Sequence, residues 1–309
     1  MIDIKDILNK NNIKVKKITY YDNYVITESD DNKYLIKNRD SNKSEIFDYL
    51  KSIKYPYYLD IINSYNDYYE IYPYYDDKVV DKYSKGKKII EALSLLQLKS
   101  LSYKEYSEDN IKGIYEDLVE KIDNTMKYYL DLQDYIEEFI FPNPAYYLLI
   151  KNISKFYELL RLGRLSLDKW YQNTKDNKLR EVLLVNNVSL NNFCFGDYQY
   201  FIDYRDAHWG LVSYDFAEFY KNDLFEVDMI SLFDYYKSLF NIDQNEYYLL
   251  CSLISIPVKI KFSRTAYNDT VYVRSVVDYV LKTIEFISEE NEKYQEADKD
   301  KFEQENEDI

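Results

Sequence analysis

The sequence is poor in the residue types on which most metal-binding and phosphate-binding sites depend. Its 309 residues include only 5 Gly, 5 Pro, 2 Cys and 1 His. One histidine cannot supply a multi-histidine metal site, and two cysteines cannot form a zinc finger or a disulfide framework. Five glycines leave few for loops that hold phosphate through backbone amides. We therefore expect Cys194 and Cys251 to be buried apolar residues.

Long apolar runs and a basic charge balance are missing as well. No stretch approaches the roughly 18 uncharged apolar residues that suggest a transmembrane helix. The first residues, Met1 to Asp6, are charged and lack the apolar core of a secretion signal, so we expect a cytoplasmic protein. The 55 acidic residues exceed the 40 Lys and Arg, which gives a net charge of -15. Such a chain repels the phosphates of nucleic acids, and we expect no nucleic-acid partner.

Tyrosine is abundant, with 38 residues, and the hydrophobic fraction of 46% is enough for a sizeable core. Tyrosine combines a large apolar ring with a hydroxyl group that needs a hydrogen-bond partner. The chain length suggests about two domains.

Residues 1–76 have the pattern of short strands around one helix. Strands rich in β-branched and aromatic residues are predicted at 15–20, 24–29 and 34–37. A helix follows over 41–53, with Ser41 or Ser44 as its N-cap. Two further strands are predicted at 58–64 and 68–72, and Pro73 is expected to end the second.

Residues 77–290 are mostly helical. A stripe of apolar residues at a spacing of three and four predicts a long helix from Ile111 onwards. The segment Phe141-Pro-Asn-Pro-Ala should break it. A second helix is predicted over 146–161, ending near Gly163. Residues 291–309 form an acidic tail, predicted to be disordered.

A small β insert interrupts the helical region. Residues 181–185 form a β run, 196–197 a turn and 200–202 a second strand. The insert carries four motifs: Val185-Asn186-Asn187, then Asn192, then Ile202-Asp203-Tyr204, and finally Tyr214-Asp215-Phe216-Ala217.

This arrangement resembles the catalytic segment of kinase-like phosphotransferases of the aminoglycoside and choline kinase type. Their pattern is a strand, His-Gly-Asp, four residues, Asn, and a second strand ending in Ile-Asp-Phe. A further Asp follows about a dozen residues later. The Ile-Asp-Tyr and Tyr-Asp segments are most similar to the spore-coat CotS-type branch. The resemblance implies an α+β, two-lobed protein-kinase-like fold with a small antiparallel N-lobe (1–76), a larger helical C-lobe with the β insert (77–290), and the tail.

The resemblance also implies roles for particular residues, with ATP and Mg²⁺ as possible cofactors. Asn192 and Asp203 match the residues that hold magnesium, and Asp215 matches an acid that braces the catalytic loop. Lys37 matches the strand lysine that contacts the nucleotide phosphates, and Glu45 is its candidate ion-pair partner. Without the resemblance, Lys37 reads as a solvated lysine and Asp203 as the start of a turn.

Two departures from the pattern bear on activity. Asn187 stands where the family has the catalytic Asp, and an amide cannot accept a proton at neutral pH. The turn at 20–23, where the family folds a loop over phosphate, contains no glycine. The single histidine, His208, is expected to be structural beside Trp209.

Three hypotheses follow. The first is a degenerate, pseudokinase-type protein of weak or no activity, acting by binding a protein partner or as a spore-coat or other assembly component. The second is an active ATP- and Mg²⁺-dependent kinase of a small-molecule acceptor with a hydroxyl group. The third is nucleotide sensing without transfer.

Overall fold

The computed structural model describes residues 15–20, 24–30, 32–38, 44–65, 69–78, 81–174, 178–204, 206–263 and 265–307. The strands within them are β1 (Lys17–Tyr20), β2 (Tyr24–Glu28), β3 (Lys33–Asn38), β4 (Asn63–Tyr65), β5 (Tyr69–Tyr74), β6 (Ser102–Glu105), β7 (Lys178–Leu184), β8 (Phe193–Phe195), β9 (Gln199–Phe201) and β10 (His208–Leu211). The α-helices are α1 (Ser44–Ser52), α2 (Lys82–Ser100), α3 (Glu108–Glu137), α4 (Pro144–Asn173), α5 (Ser213–Asp223), α6 (Met229–Leu239), α7 (Gln244–Ile254) and α8 (Ala266–Glu307).

The first five strands form one antiparallel sheet in the order β1-β2-β3-β5-β4. Both of its faces bury apolar side chains, because successive residues of a strand point to opposite sides. Ile36 and Ile71 lie in the core of one face, whereas Ile26, Leu35 and Tyr72 lie in the core of the other. The structure confirms the predicted order of three strands, a helix and two strands.

We expected Pro73 to end β5. Instead it lies inside this strand, opposite Tyr34 of β3. The carbonyl group of Ile71 faces β4, since it accepts a hydrogen bond from the N–H of Ile62. Pro73 lies two residues further along and faces the same side, beyond the end of β4 opposite Ile71. Its missing N–H therefore costs no bond of the sheet.

The chain divides into two compact units. The first comprises residues 1–102 and 181–241 and contains the five-stranded sheet, the hairpin β8–β9 and helices α1, α2, α5 and α6. The second comprises residues 103–180 and 242–309 and contains helices α3, α4, α7 and α8. The proposed division into lobes at residue 77 stays a prediction.

The break between the two long helices lies where prolines were expected to place it. The side chain of Asn143 caps α4 by accepting a hydrogen bond from the N–H of Tyr146 (2.9 Å), and Pro144 occupies the first turn. However, α4 does not end near Gly163. A Cβ atom at Gly163 would lie 2.6 Å from the Cβ atom of Ser255, so this glycine serves close packing against α7 rather than helix termination.

The C-terminal segment continues α8 as far as Glu307, through most of the stretch predicted to be a disordered tail. Among the described residues, no helix is both long enough and apolar enough to cross a membrane. Cys194 and Cys251 are both buried and unpaired with each other, in agreement with the sequence analysis.

Candidate active site

The loop that follows β7 is anchored at its start by Asp215, in the first turn of α5. The Asp215 carboxylate is fully buried and accepts hydrogen bonds from the backbone N–H groups of Val185 and Asn186, both at 2.9 Å. Burial raises the pKa of Asp215 to about 7, although the two N–H donors favour the ionised form. Asp215 therefore holds the start of the loop in place, and the role that the resemblance implies for it stays a prediction.

Asn186 gives this loop its shape. Its φ angle of 53° lies in the left-handed region, which few residues other than glycine adopt. Asparagine tolerates this conformation better than most side chains do. The loop therefore makes a left-handed turn at Asn186 without a glycine.

The far end of the loop has a second anchor, which the sequence analysis missed. Asp223, at the end of α5, accepts a hydrogen bond from the N–H of Leu190 at 2.9 Å. Its neighbour Asn222 donates to the carbonyl group of Val188 at 2.9 Å. Burial raises the pKa of Asp223. The signal was present in the sequence, because residues eight apart, such as Asp215 and Asp223, lie on one face of a helix.

Asn192 links the loop to the segment after β9 that carries Asp203. It ends a 3-10 turn capped by Ser189, and its side-chain nitrogen Nδ2 donates to the carbonyl oxygens of Asn187 (2.6 Å) and Asp203 (3.2 Å). Its own backbone carbonyl accepts from the N–H of Ile202 at 2.9 Å. The structure thus brings together three predicted site residues, namely Asn187, Asn192 and Asp203. The side chain of Asn187 is partly exposed.

Lys37 reaches the same place from β3. Its ammonium group donates a hydrogen bond to the carbonyl group of Ile202 and lies 3.9 Å from the Asp203 carboxylate. Both side chains are only 12% exposed, so this pair is weakly screened by water. Glu45 lies exposed in the first turn of α1, and its pairing with Lys37 stays a prediction.

The residues present fit a magnesium ion bound together with phosphates. Asn192 uses its side-chain nitrogen to hold the loop, which leaves its side-chain oxygen to face a cation. The Asp203 carboxylate supplies further oxygen ligands, the type that Mg²⁺ prefers. No group of three or more His, Cys, Asp or Glu suited to a metal occurs among the described residues. The protein alone would thus hold such an ion weakly, and phosphate and water would complete its coordination.

Aromatic and apolar side chains pack on the sheet face from which Lys37 projects. Phe47 and Ile202 pack against Leu35 and Tyr72 on this face. The rings of Phe47 and Tyr204 lie 6.2 Å apart. The turn at 20–23, predicted to lack a phosphate-binding loop, lies mostly outside the described residues.

The hairpin β8–β9 is bonded to the segment 75–78 that follows β5. The N–H of Lys78 donates to the carbonyl group of Phe195 at 2.9 Å. The Tyr75 N–H donates to the hydroxyl group of Tyr200 at 3.3 Å, and the Tyr75 carbonyl accepts from the thiol of Cys194 at 3.3 Å. Burial raises the pKa of Cys194 to about 11, which keeps it a protonated donor. The N–H and carbonyl groups of Tyr75 and the N–H of Lys78 are therefore already hydrogen-bonded.

His208 lies near Asp215, the ionised form of which it favours electrostatically. It lies exposed on β10, and its ring nitrogen Nδ1 is 2.8 Å from the carbonyl oxygen of Asp206. This local contact accounts for the side chain without a catalytic role.

Comparison with solved structures identifies the fold. An aminoglycoside phosphotransferase from Alicyclobacillus acidocaldarius superposes with a TM-score of 0.62 at 8% sequence identity, over 89% of this chain and 93% of that one. A spectinomycin phosphotransferase in complex with ADP and spectinomycin superposes with a TM-score of 0.55 at 12% identity, over 91% and 97%. The AMP-bound complex of the same enzyme gives a TM-score of 0.53 at 13% identity, over 92% and 94%.

Sequence comparison adds no closer assignment, since no family model and no curated protein matches the chain. The structural likeness extends over nearly the whole length of each compared enzyme. At these identities it concerns the backbone arrangement alone. The chain has the α+β kinase-like fold found in aminoglycoside phosphotransferases.

Proposed function

We propose that this chain is a kinase-like protein with strongly impaired phosphoryl transfer, which acts by binding rather than by catalysis. The observation that carries the proposal is Asn187, an amide at the loop position where the fold's enzymes are expected to have a general base. The loop around it is intact, because Asp215 and Asp223 hold its two ends. The replacement therefore sits in an ordered loop and not in a collapsed one.

The surroundings of Lys37 support the same conclusion. Its ammonium group donates a hydrogen bond to the carbonyl group of Ile202, and the sheet face beside it is covered by Phe47 and Ile202. A nucleotide that used Lys37 for its phosphates would have to displace these internal contacts. A role as a component of a spore coat or similar assembly is part of this proposal, supported by the resemblance of the Ile-Asp-Tyr and Tyr-Asp segments to the CotS-type branch.

The test is to restore the missing base. Asn187→Asp should raise ADP formation from ATP and Mg²⁺, measured with and without spectinomycin, other aminoglycosides or choline, by about two to four orders of magnitude. Asn191→Asp is the matched control, since it adds the same charge at an exposed neighbouring position. Wild-type turnover equal to that of Asn187→Asp, and abolished in Asp203→Ala, would refute the proposal.

That refuting result would establish the second candidate, an active kinase of a small hydroxylated acceptor. The convergence of Lys37, Asn192 and Asp203 favours it. Thermal unfolding with and without ATP and Mg²⁺ separates the cases further, since ligand at about 100 times its Kd stabilises by about 2.7 kcal/mol. A shift that is lost in Asp203→Ala, without turnover, would indicate nucleotide sensing.

A further inference from the structure

The turn between α3 and α4 exposes three consecutive apolar residues, which we call the crest: Phe139, Ile140 and Phe141. Ile140 is 87% exposed and Phe141 is 91% exposed, while Phe139 is 41% exposed. Together they present on the order of 400 Å² of apolar surface to water. Single exposed apolar residues are common, but a consecutive run of this size is a feature of interaction surfaces.

The N-terminal end of the crest, Phe139, is held in place by its neighbours. The N–H of Phe139 donates to the carbonyl group of Ile136 at 3.1 Å, which closes the last turn of α3. The ring of Phe139 lies edge-on to Tyr135, at 5.2 Å between centroids, and 5.6 Å from Tyr146. Tyr146 in turn packs edge-on against Phe262 at 4.8 Å. A surface that is already ordered loses little conformational entropy when it binds.

The flanks of the crest are acidic. Residues 130–147 contain Asp131, Asp134, Glu137 and Glu138 but no Lys or Arg, and all four acids are exposed. A second copy of this chain, docked crest to crest, would bring two such rims together at a cost in like-charge repulsion. An anionic membrane surface would be repelled for the same reason.

We propose that the crest docks against the apolar face of a lysine- or arginine-rich amphipathic helix of another protein. Aromatic and aliphatic anchors at the centre and complementary charges at the edge are the usual anatomy of such interfaces. The crest is thus a candidate surface for the binding role proposed above. This inference does not depend on the loss of phosphoryl transfer, because the crest belongs to the second compact unit.

The test uses the full chain and a labelled synthetic amphipathic helix of Leu and Lys as probe, with fluorescence anisotropy as the readout. Ile140→Ser with Phe141→Ser should weaken binding about tenfold or more, while a Leu and Glu helix should not bind. Because both side chains are almost wholly exposed, these changes leave no cavity. The matched control, Tyr267→Ser with Val271→Ser, removes exposed apolar groups from α8 and should bind as the wild type does.

Equal probe binding by the wild type and the crest variant would overturn the proposal, as would an equal loss in the α8 control. Sedimentation that shows a wild-type dimer dissolved by the crest variant would assign the crest to a second copy instead. Binding to phosphatidylcholine vesicles that the crest variant loses would assign it to a membrane. Thermal shifts with ATP report separately on the nucleotide hypothesis, so the failure of one proposal is distinguishable from that of the other.

Discussion

Replacing Asp215 with asparagine removes the ionisable group from the most buried anchor of the active-site loop while keeping the size of the side chain. The wild-type carboxyl group has a pKa of about 7 in the folded chain, against 3.8 for an unperturbed Asp. Between these two values the folded state binds a proton that the unfolded state has released. The free energy of unfolding therefore falls as pH rises, and this loss is complete above about pH 7.

The magnitude follows from the two pKa values. Between about pH 5.5 and pH 8, the Asp215 contribution to the free energy of unfolding should fall by about 2 kcal/mol. Asp215→Asn should lack this dependence. At the acidic end the variant should be less stable by about 1–3 kcal/mol, because its NH₂ group faces one of the backbone N–H groups of Val185 and Asn186. Towards pH 8 the difference between the two proteins should shrink or reverse.

Urea unfolding of both proteins, followed by tryptophan fluorescence and circular dichroism, measures this difference. The range above pH 5.5 avoids the sequence isoelectric point near 4.7, where proteins tend to associate. Only the difference between wild type and variant counts, since Asp223 and other buried acids with raised pKa values contribute the same slope to both. A difference that stays constant with pH would show that Asp215 titrates normally, and the burial argument would be wrong.

Three further substitutions test the packing inside each of the two units. Gly196→Ala places a Cβ atom 2.5 Å from the carbonyl oxygen of Asp76, so it should lower the free energy of unfolding by about 1–3 kcal/mol, measured by urea titration. Arg180→Ala leaves the mostly buried Glu246 carboxylate without its cation and should lower the free energy of unfolding by about 3–5 kcal/mol. Adding Glu246→Gln to this variant removes the unpaired charge and should restore part of that stability. Trp170→Ala opens a cavity beside the last turn of α4 and should lower the free energy of unfolding by about 3–5 kcal/mol, seen as a lower thermal midpoint.

Local patterns predicted most of the fold, because strands and helices repeat their apolar residues with different periods. Failures came where a single residue was judged without its neighbours. Pro73 was taken to end a strand, but the absence of a β4 partner at that point makes it harmless. Gly163 was taken to end a helix, but a close helix neighbour needs it there. Such effects depend on tertiary contacts that no sequence window contains.

Part of the candidate site could also be predicted from the sequence. The spacing of Asn192, Asp203 and Asp215 led to three residues that the structure places around one loop. The contacts of Lys37 with Ile202 and Asp203 were not accessible, because these two residues follow β9 and are about 165 residues away along the chain. Asp223 was overlooked, although its helical spacing from Asp215 was available.

Asn186 changes how the shortage of glycine in this chain should be understood. Glycine at a left-handed position relieves strain in the folded state, but it also gives the unfolded chain more conformations to lose. Asparagine adds strain to the folded state, but it also leaves the unfolded chain fewer conformations to lose. The two effects are of similar size, each about 1 kcal/mol. A chain with asparagine can therefore make a left-handed turn at nearly the same stability as one with glycine. The number of glycines describes the composition of the sequence, whereas the φ angle of Asn186 shows that this loop makes such a turn without one.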